Sequence, residues 1–173
     1  MKVGIISDTH DQLVRINDAI NVFQNEKVGA VIHCGDFIAP FAIKIFQKLH
    51  CPFYSVFGNN DGEKQGLLKA AKGFGGELFD PPHLYTIEGE KILVYHDPPN
   101  WEKMSSRASS PDYILYGHTH QPDFGKQGGI PIINPGEACG WLTGRAFIGI
   151  LDLGSGEYVS ISLIPLCEKG IVS

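Results

Sequence analysis

A chain of 173 residues buries about 70% of the surface its unfolded form exposes, so it can fold as one domain over residues 1–173 without a disulfide or a structural metal. Its formal net charge of -5, with no cluster of Lys and Arg, argues against stable nucleic-acid binding through a basic face. The opening run Val3-Gly4-Ile5-Ile6 is interrupted at Ser7-Asp8, too early for a signal peptide or a membrane span, and predicts a cytoplasmic protein with no membrane partner. Cys34, Cys51, Cys139 and Cys167 show no C-x-x-C spacing, which removes the zinc-ribbon and dithiol readings and leaves reduced, mostly buried thiols.

Residues 2–7 form a β-branched run that stops at Asp8, and Leu13, Ile16, Ile20 and Phe23 then recur at helical spacing over Asp11 to Asn25. The pattern repeats. Ala30 to His33 reads as a strand ended by Cys34-Gly35-Asp36, and Phe41, Ile45, Phe46 and Leu49 predict a second helix. Phe53 to Phe57 is a third strand, closed by Gly58-Asn59-Asn60-Asp61 and followed by a helix over Glu63 to Lys72. Strands alternating with helices in this way predict βαβ units and a parallel sheet.

The second half is strand-rich, with runs at Leu84 to Ile87, Ile92 to Tyr95, Ile114 to Tyr116, Ile130 to Ile133, Ala146 to Leu153 and Tyr158 to Ile164. Only Pro99 to Ser109 offers another helix. Glu88-Gly89-Glu90-Lys91 and Gly154-Ser155-Gly156 read as hairpin turns. Together the halves predict an α/β fold, a four-layer αββα sandwich of two mixed sheets flanked by helices, with no linker or repeat dividing it.

Ligands of open α/β sheets sit beyond the carboxyl ends of the strands. Five polar clusters fall at such ends: Asp8-Thr9-His10, Gly35-Asp36, Gly58-Asn59-Asn60-Asp61, His96-Asp97 and Gly117-His118-Thr119-His120. Their donors are Asp, His and Asn without a thiolate, a set suited to manganese, nickel, iron or zinc. Asp8, His10, Asp36, Asn59, His96, His118 and His120 are too many for one tetrahedral site but fit two ions about 3.5–4 Å apart that share a carboxylate, for which Asp36 is the candidate. The glycines before Asp36, Asn59 and His118 let the backbone approach an ion without a Cβ clash. Each cluster alone has an ordinary reading: Asp8 and His10 as a helix cap beside a surface histidine, Gly35-Asp36 as a turn, Asp61 as an N-cap. Recurrence at strand end after strand end is what favours metal.

The order D-x-H, G-D, G-N-x-D, a lone His and then G-H-T-H resembles the calcineurin-like metallophosphoesterase family over most of the chain. V-G-I-I-S-D-T-H-D at the start and I-N-P-G-E-A-C-G later are most similar to its small bacterial and archaeal phosphodiesterases, which share a fold with a retromer vacuolar sorting subunit. The resemblance implies a metallo-dependent phosphatase fold with Asp8, His10, Asp36 and His120 on one divalent metal, and Asp36, Asn59, His96 and His118 on the other. It also implies hydrolysis of a small phosphodiester by a metal-bridging hydroxide, a homodimer or homotetramer, and, as the alternative, a protein-interaction scaffold of the retromer-subunit type with weak or no catalysis.

Two departures from the family pattern matter. The His that follows the ligand Asn in many relatives is Asn60 here, which donates a hydrogen bond but not a proton, so aryl-activated diesters are expected to turn over before alkyl ones. Asn60, Asp61 and His96 are the expected catalytic residues, with Asp61 supporting Asn60 or capping the next helix. Where relatives read His-Gly-His, this chain has the stiffer His96-Asp97-Pro98-Pro99, in which Asp97 is an alternative carboxylate donor. His33, inside an apolar strand, is expected to face the core or the opposite sheet face; His50 follows a helix, and His83 sits in a loop after Pro81-Pro82. Asn134-Pro135-Gly136 reads as a turn, and Trp101 and Trp141 as a substrate wall, a subunit contact or buried side chains.

Overall fold

In the computed structural model, which describes residues 1–100 and 111–163, the apolar runs become two mixed sheets packed face to face. Strands β1 (Lys2–Ile6), β2 (Ala30–His33), β3 (Phe53–Val56) and β4 (Glu77–Phe79) are parallel. Beyond β1 the sheet continues antiparallel through β10 (Ala146–Asp152) and β11 (Tyr158–Leu163), giving the order β11-β10-β1-β2-β3-β4. The second sheet runs β5 (His83–Ile87), β6 (Glu90–Val94), β7 (Tyr113–Leu115), β9 (Ile130–Asn134), β8 (Asp123–Gln127). Its three central strands are parallel and both edges antiparallel.

β1 and β2 are almost wholly apolar because both their faces are covered. Val3, Ile5, Ala30 and Ile32 point to the second sheet and pack with Tyr85, Ile92, Val94, Leu115 and Ile133. Ile6 and Val31 point the other way, into a core shared with Ile16, Ile20 and Phe23 of α1 (Leu13–Asn25), Ile43 of α2 (Pro40–Ile43) and Leu67 of α3 (Lys64–Lys72). Phe23 is fully buried there, and truncating such a ring to Ala costs about 3–5 kcal/mol. His33 faces this helix-side core as expected, fully buried with its ring 3.7 Å from that of Phe37.

The differences from the sequence expectation have local causes. The second helix is only α2, and it tightens into a 3-10 segment over Lys44–Lys48. The change of winding alters the phase, so Ala42, Ile43 and Phe46 turn inward while Phe41 is 53% exposed. Strands β4 and β8 have no counterpart in the sequence reading. β4 is only three residues long, and β8 is a polar edge strand, D-F-G-K-Q, with no buried face to give alternation. The hairpin turns at Glu88-Gly89 and Gly154 to Gly156 form as expected. Among the described residues Cys34, Cys51 and Cys139 are free thiols, two of them buried. Cys167, Trp101 and most of the helix expected at Pro99 to Ser109 lie outside the described residues. Among those described, no helix is long and apolar enough to cross a membrane.

Candidate metal centre

β1, β2 and β3 end on one edge of their sheet, and β6, β7 and β9 end on one edge of theirs. The loops leaving those ends bring Asp8, His10, Asp36, Asn59, His96, His118 and His120 together. Asp8, His10, Asp36, His118 and His120 all have positive φ, between 39° and 64°. Non-glycine residues adopt that left-handed conformation at a cost that the surroundings must offset, and such residues concentrate at functional sites. The neighbouring glycines make room: a Cβ on Gly58 would overlap the Asp36 carboxylate, and one on Gly117 would overlap Ser7 Oγ.

On one side of Asp36 the donors face each other without bonding. His10 Nε2 lies 3.9 Å from Asp8 Oδ1 and 3.5 Å from Asp36 Oδ2, and His120 Nε2 lies 3.6 Å from Asp8 Oδ1. Asp8 Oδ1 and His10 Nε2 are buried with no hydrogen-bond partner. Donors about 2.1 Å from a common tetrahedral ion lie about 3.4 Å apart, close to these separations. Burial pushes the Asp8 carboxyl pKa up, although Ser7 opposes it, so a nearby cation would stabilise the charged form. The donor set therefore fits a divalent metal.

On the other side the donors bond to one another. Asn59 Oδ1 lies 2.8 Å from His96 Nε2 and 2.9 Å from His118 Nδ1. His96 Nδ1, 2.8 Å from the Cys34 carbonyl, donates to it, which leaves Nε2 facing Asn59 and Asp36 Oδ2, the latter at 3.5 Å. Both are acceptors, so that face is satisfied by a second proton or by a cation. Burial lowers the His96 pKa, but Asp36 and the Cys34 carbonyl outweigh it and raise it to about 9. His118 is the half-exposed member, and Asp97 Oδ1 lies 3.5 Å from its Nδ1.

Asp36 stands between the two sides. Its carboxylate accepts from the Asn60 backbone N–H at 2.9 Å and the Asn60 side-chain amide at 2.7 Å. Burial opposes ionisation, yet His96 and Asn60 hold the Asp36 pKa well below the usual carboxylate range. Asp61 does not cap α3. Its buried carboxylate accepts from the backbone N–H groups of Asp36, Phe37, Ile38 and Gly58, clamping the Asp36 loop to the Asn59 loop, while the N-cap position of α3 is Glu63, which makes no side-chain cap.

Two residues given no site role from the sequence support the G-H-T-H loop. Asn134 is fully buried and donates to the Gly117 carbonyl and the Thr119 hydroxyl. Glu137, also fully buried, lies 2.8 Å through Oε2 from His120 Nδ1. Burial opposes its ionisation, but bonds from His120, Thr143 and Cys139 lower its pKa to about 2. The available signal was its place in I-I-N-P-G-E, an acid after glycine at a strand end, as in Gly35-Asp36.

Comparison with known proteins places the chain in a family. The model of the calcineurin-like phosphoesterase superfamily domain matches residues 1–156, and the chain belongs to that superfamily. It is 41% identical to a phosphodiesterase of Methanocaldococcus jannaschii, over 94% of this chain and 99% of that one. A solved structure described as a novel archaeal phosphodiesterase matches at a TM-score of 0.87 and 41% identity, over 94% of this chain and 100% of that chain. Vacuolar protein sorting 29 from Cryptosporidium parvum matches at a TM-score of 0.60 and 17% identity, over 93% and 95% of the two chains, a likeness of fold alone.

Proposed function

We propose that this protein hydrolyses small phosphodiesters with two divalent metal ions, one held by Asp8, His10, Asp36 and His120, the other by Asp36, Asn59, His96 and His118. The observation that carries the reading is the position of Asp36 Oδ2, 3.5 Å from His10 Nε2 and 3.5 Å from His96 Nε2. A single carboxylate oxygen midway between two donor groups suits a ligand shared by two ions. The 41% identity to an archaeal phosphodiesterase supports the diester preference, and the oxygen and nitrogen donors accommodate manganese, nickel, iron or zinc. When bound, such ions supply Lewis-acid charge for the phosphoryl oxygens and acidify a water toward neutral pH.

The chain's own residues do the positioning. Asn60 and Asp61 hold the Asp36 loop against the Asn59 loop, and the Cys34 carbonyl orients His96 so that Nε2 faces the centre. Asn60 lacks a proton to give a departing alcohol, so diesters whose alcohol leaves readily as an anion are the better substrates. The scaffold alternative draws only on the shared fold, and the donors of both sides are all present in this chain.

The test is hydrolysis of bis-p-nitrophenyl phosphate and of the p-nitrophenyl monoester by metal-stripped protein reloaded with manganese or nickel. The diester is hydrolysed faster, and Asp36→Ala lowers the rate by at least about 100-fold, the scale on which loss of one transition-state stabilising group is felt. Equal rates for wild type and Asp36→Ala would end the enzyme reading.

A further inference from the structure

Glu137 lies in the loop that follows β9, with its side chain directed at His120. Its carboxylate is surrounded by donors. Leu142 N–H lies 3.1 Å from each oxygen, Thr143 N–H points at Oε1, the Thr143 hydroxyl is 2.7 Å from Oε1, and the Cys139 thiol is 3.0 Å from Oε2. Backbone N–H groups can only donate, so this carboxylate serves as an acceptor. The fifth partner, His120 Nδ1 at 2.8 Å, must then be the one that carries hydrogen. A neutral imidazole has one N–H, so Nε2 keeps its lone pair, and Nε2 is the atom that faces Asp8 Oδ1.

We propose that Glu137 is a positioning residue that fixes His120 as the Nδ1–H tautomer, presenting Nε2 to a metal, and ties that histidine to the 139–143 loop. The proposal rests on the reading of His120 as a ligand. A carboxylate that accepts from the far nitrogen of a metal-binding histidine raises its basicity and locks its ring, and losing such a partner typically costs 10–100-fold in metal affinity. The loop belongs to the same device. Cys139 N–H donates to the Asp8 carbonyl, and the Trp141 indole N–H reaches the His10 carbonyl at 3.4 Å. One buried carboxylate thus connects His120 to the loop that carries Trp141 and Leu142, which are 62% and 74% exposed.

Glu137→Gln makes the decisive variant because it keeps the shape and inverts one donor. Its amide oxygen stays with the Leu142 and Thr143 N–H groups, so its NH2 faces His120 Nδ1, which must then accept, moving the ring proton to Nε2. The measurements are histidine side-chain 15N NMR on metal-free protein at mildly alkaline pH and calorimetric titration with manganese. Wild type is expected to show His120 as Nδ1–H, and Glu137→Gln to shift it to Nε2–H and bind manganese about 10–100-fold more weakly. A wild-type His120 carrying its proton on Nε2, or Glu137→Gln binding manganese as wild type does, overturns the proposal. The wild-type spectrum decides the point even if the variant does not fold. His120→Ala with undiminished manganese binding would remove the ligand reading itself and the proposal with it, whereas loss in His120→Ala with no change in Glu137→Gln rejects the proposal alone.

Discussion

The two sides of the candidate centre are built on opposite principles. Around Asp8, His10, Asp36 and His120 the donor atoms stand 3.5–3.9 Å apart, and two of them are buried without a partner. Around Asn59, His96 and His118 the same kinds of group bond one another through the Asn59 carbonyl oxygen at 2.8 and 2.9 Å. A buried polar atom left unpaired costs about 1–3 kcal/mol, so a cation relieves more on the first side than on the second. An incoming ion on the second side must also displace a proton that Asp36 and the Cys34 carbonyl favour on His96. The first side is therefore expected to bind metal more tightly, with Asp36 common to both.

The largest effect on the protein as a whole is expected where the sides are joined. Asp61→Ala leaves four backbone N–H groups without their acceptor, and should cost about 3–4 kcal/mol of stability in denaturant titration, against about 1–3 kcal/mol for a single unsatisfied group. If the residue were only a helix cap, the loss would be about 1 kcal/mol.

Single ligand changes then separate the sides. His120→Ala should deplete the tighter ion and His118→Ala the weaker, each by more than the about 10–100-fold cost of losing an outer partner. Metal content after gel filtration reads both. Equal loss of both ions in either variant would erase the distinction between the sides.

A smaller effect lies behind the first side. His33 accepts the Gly35 N–H at Nδ1, and its Nε2 lies 3.1 Å from Thr9 Oγ1, between the two loops that carry Asp8, His10 and Asp36. Burial holds its pKa well below the ordinary 6.5. The unfolded chain therefore binds a proton that the folded one refuses once pH drops below 6.5, and stability falls by up to ~1.4 kcal/mol per pH unit in that range. Above 6.5 this contribution is fully present. Denaturation in chelator at a series of pH values checks it: His33→Leu should flatten that part of the profile, and an unchanged slope would place the acid sensitivity elsewhere.

Much of this was legible in the sequence for a physical reason. Buried parallel strands need continuous apolar runs, so β1, β2 and β3 and the loops that end them stand out, and with them Asp8, His10, Asp36 and Asn59. His118 and His120 follow β7 in the same way. The supporting residues were harder to see because their partners are distant. Asp61 looks like a cap in its local sequence, and its four contacts come from loops that only the fold brings close. Glu137 reaches His120 across 17 residues. β8 escaped because an exposed edge strand has no apolar face to reveal it.

We propose that one carboxylate, that of Asp36, serves two unequal metal positions. Calorimetric titration of metal-stripped protein with manganese tests it most directly, in wild type and in Asp36→Asn. Two binding events of different affinity, both weakened by Asp36→Asn, are predicted; one event, or a change confined to one of the two, would contradict it.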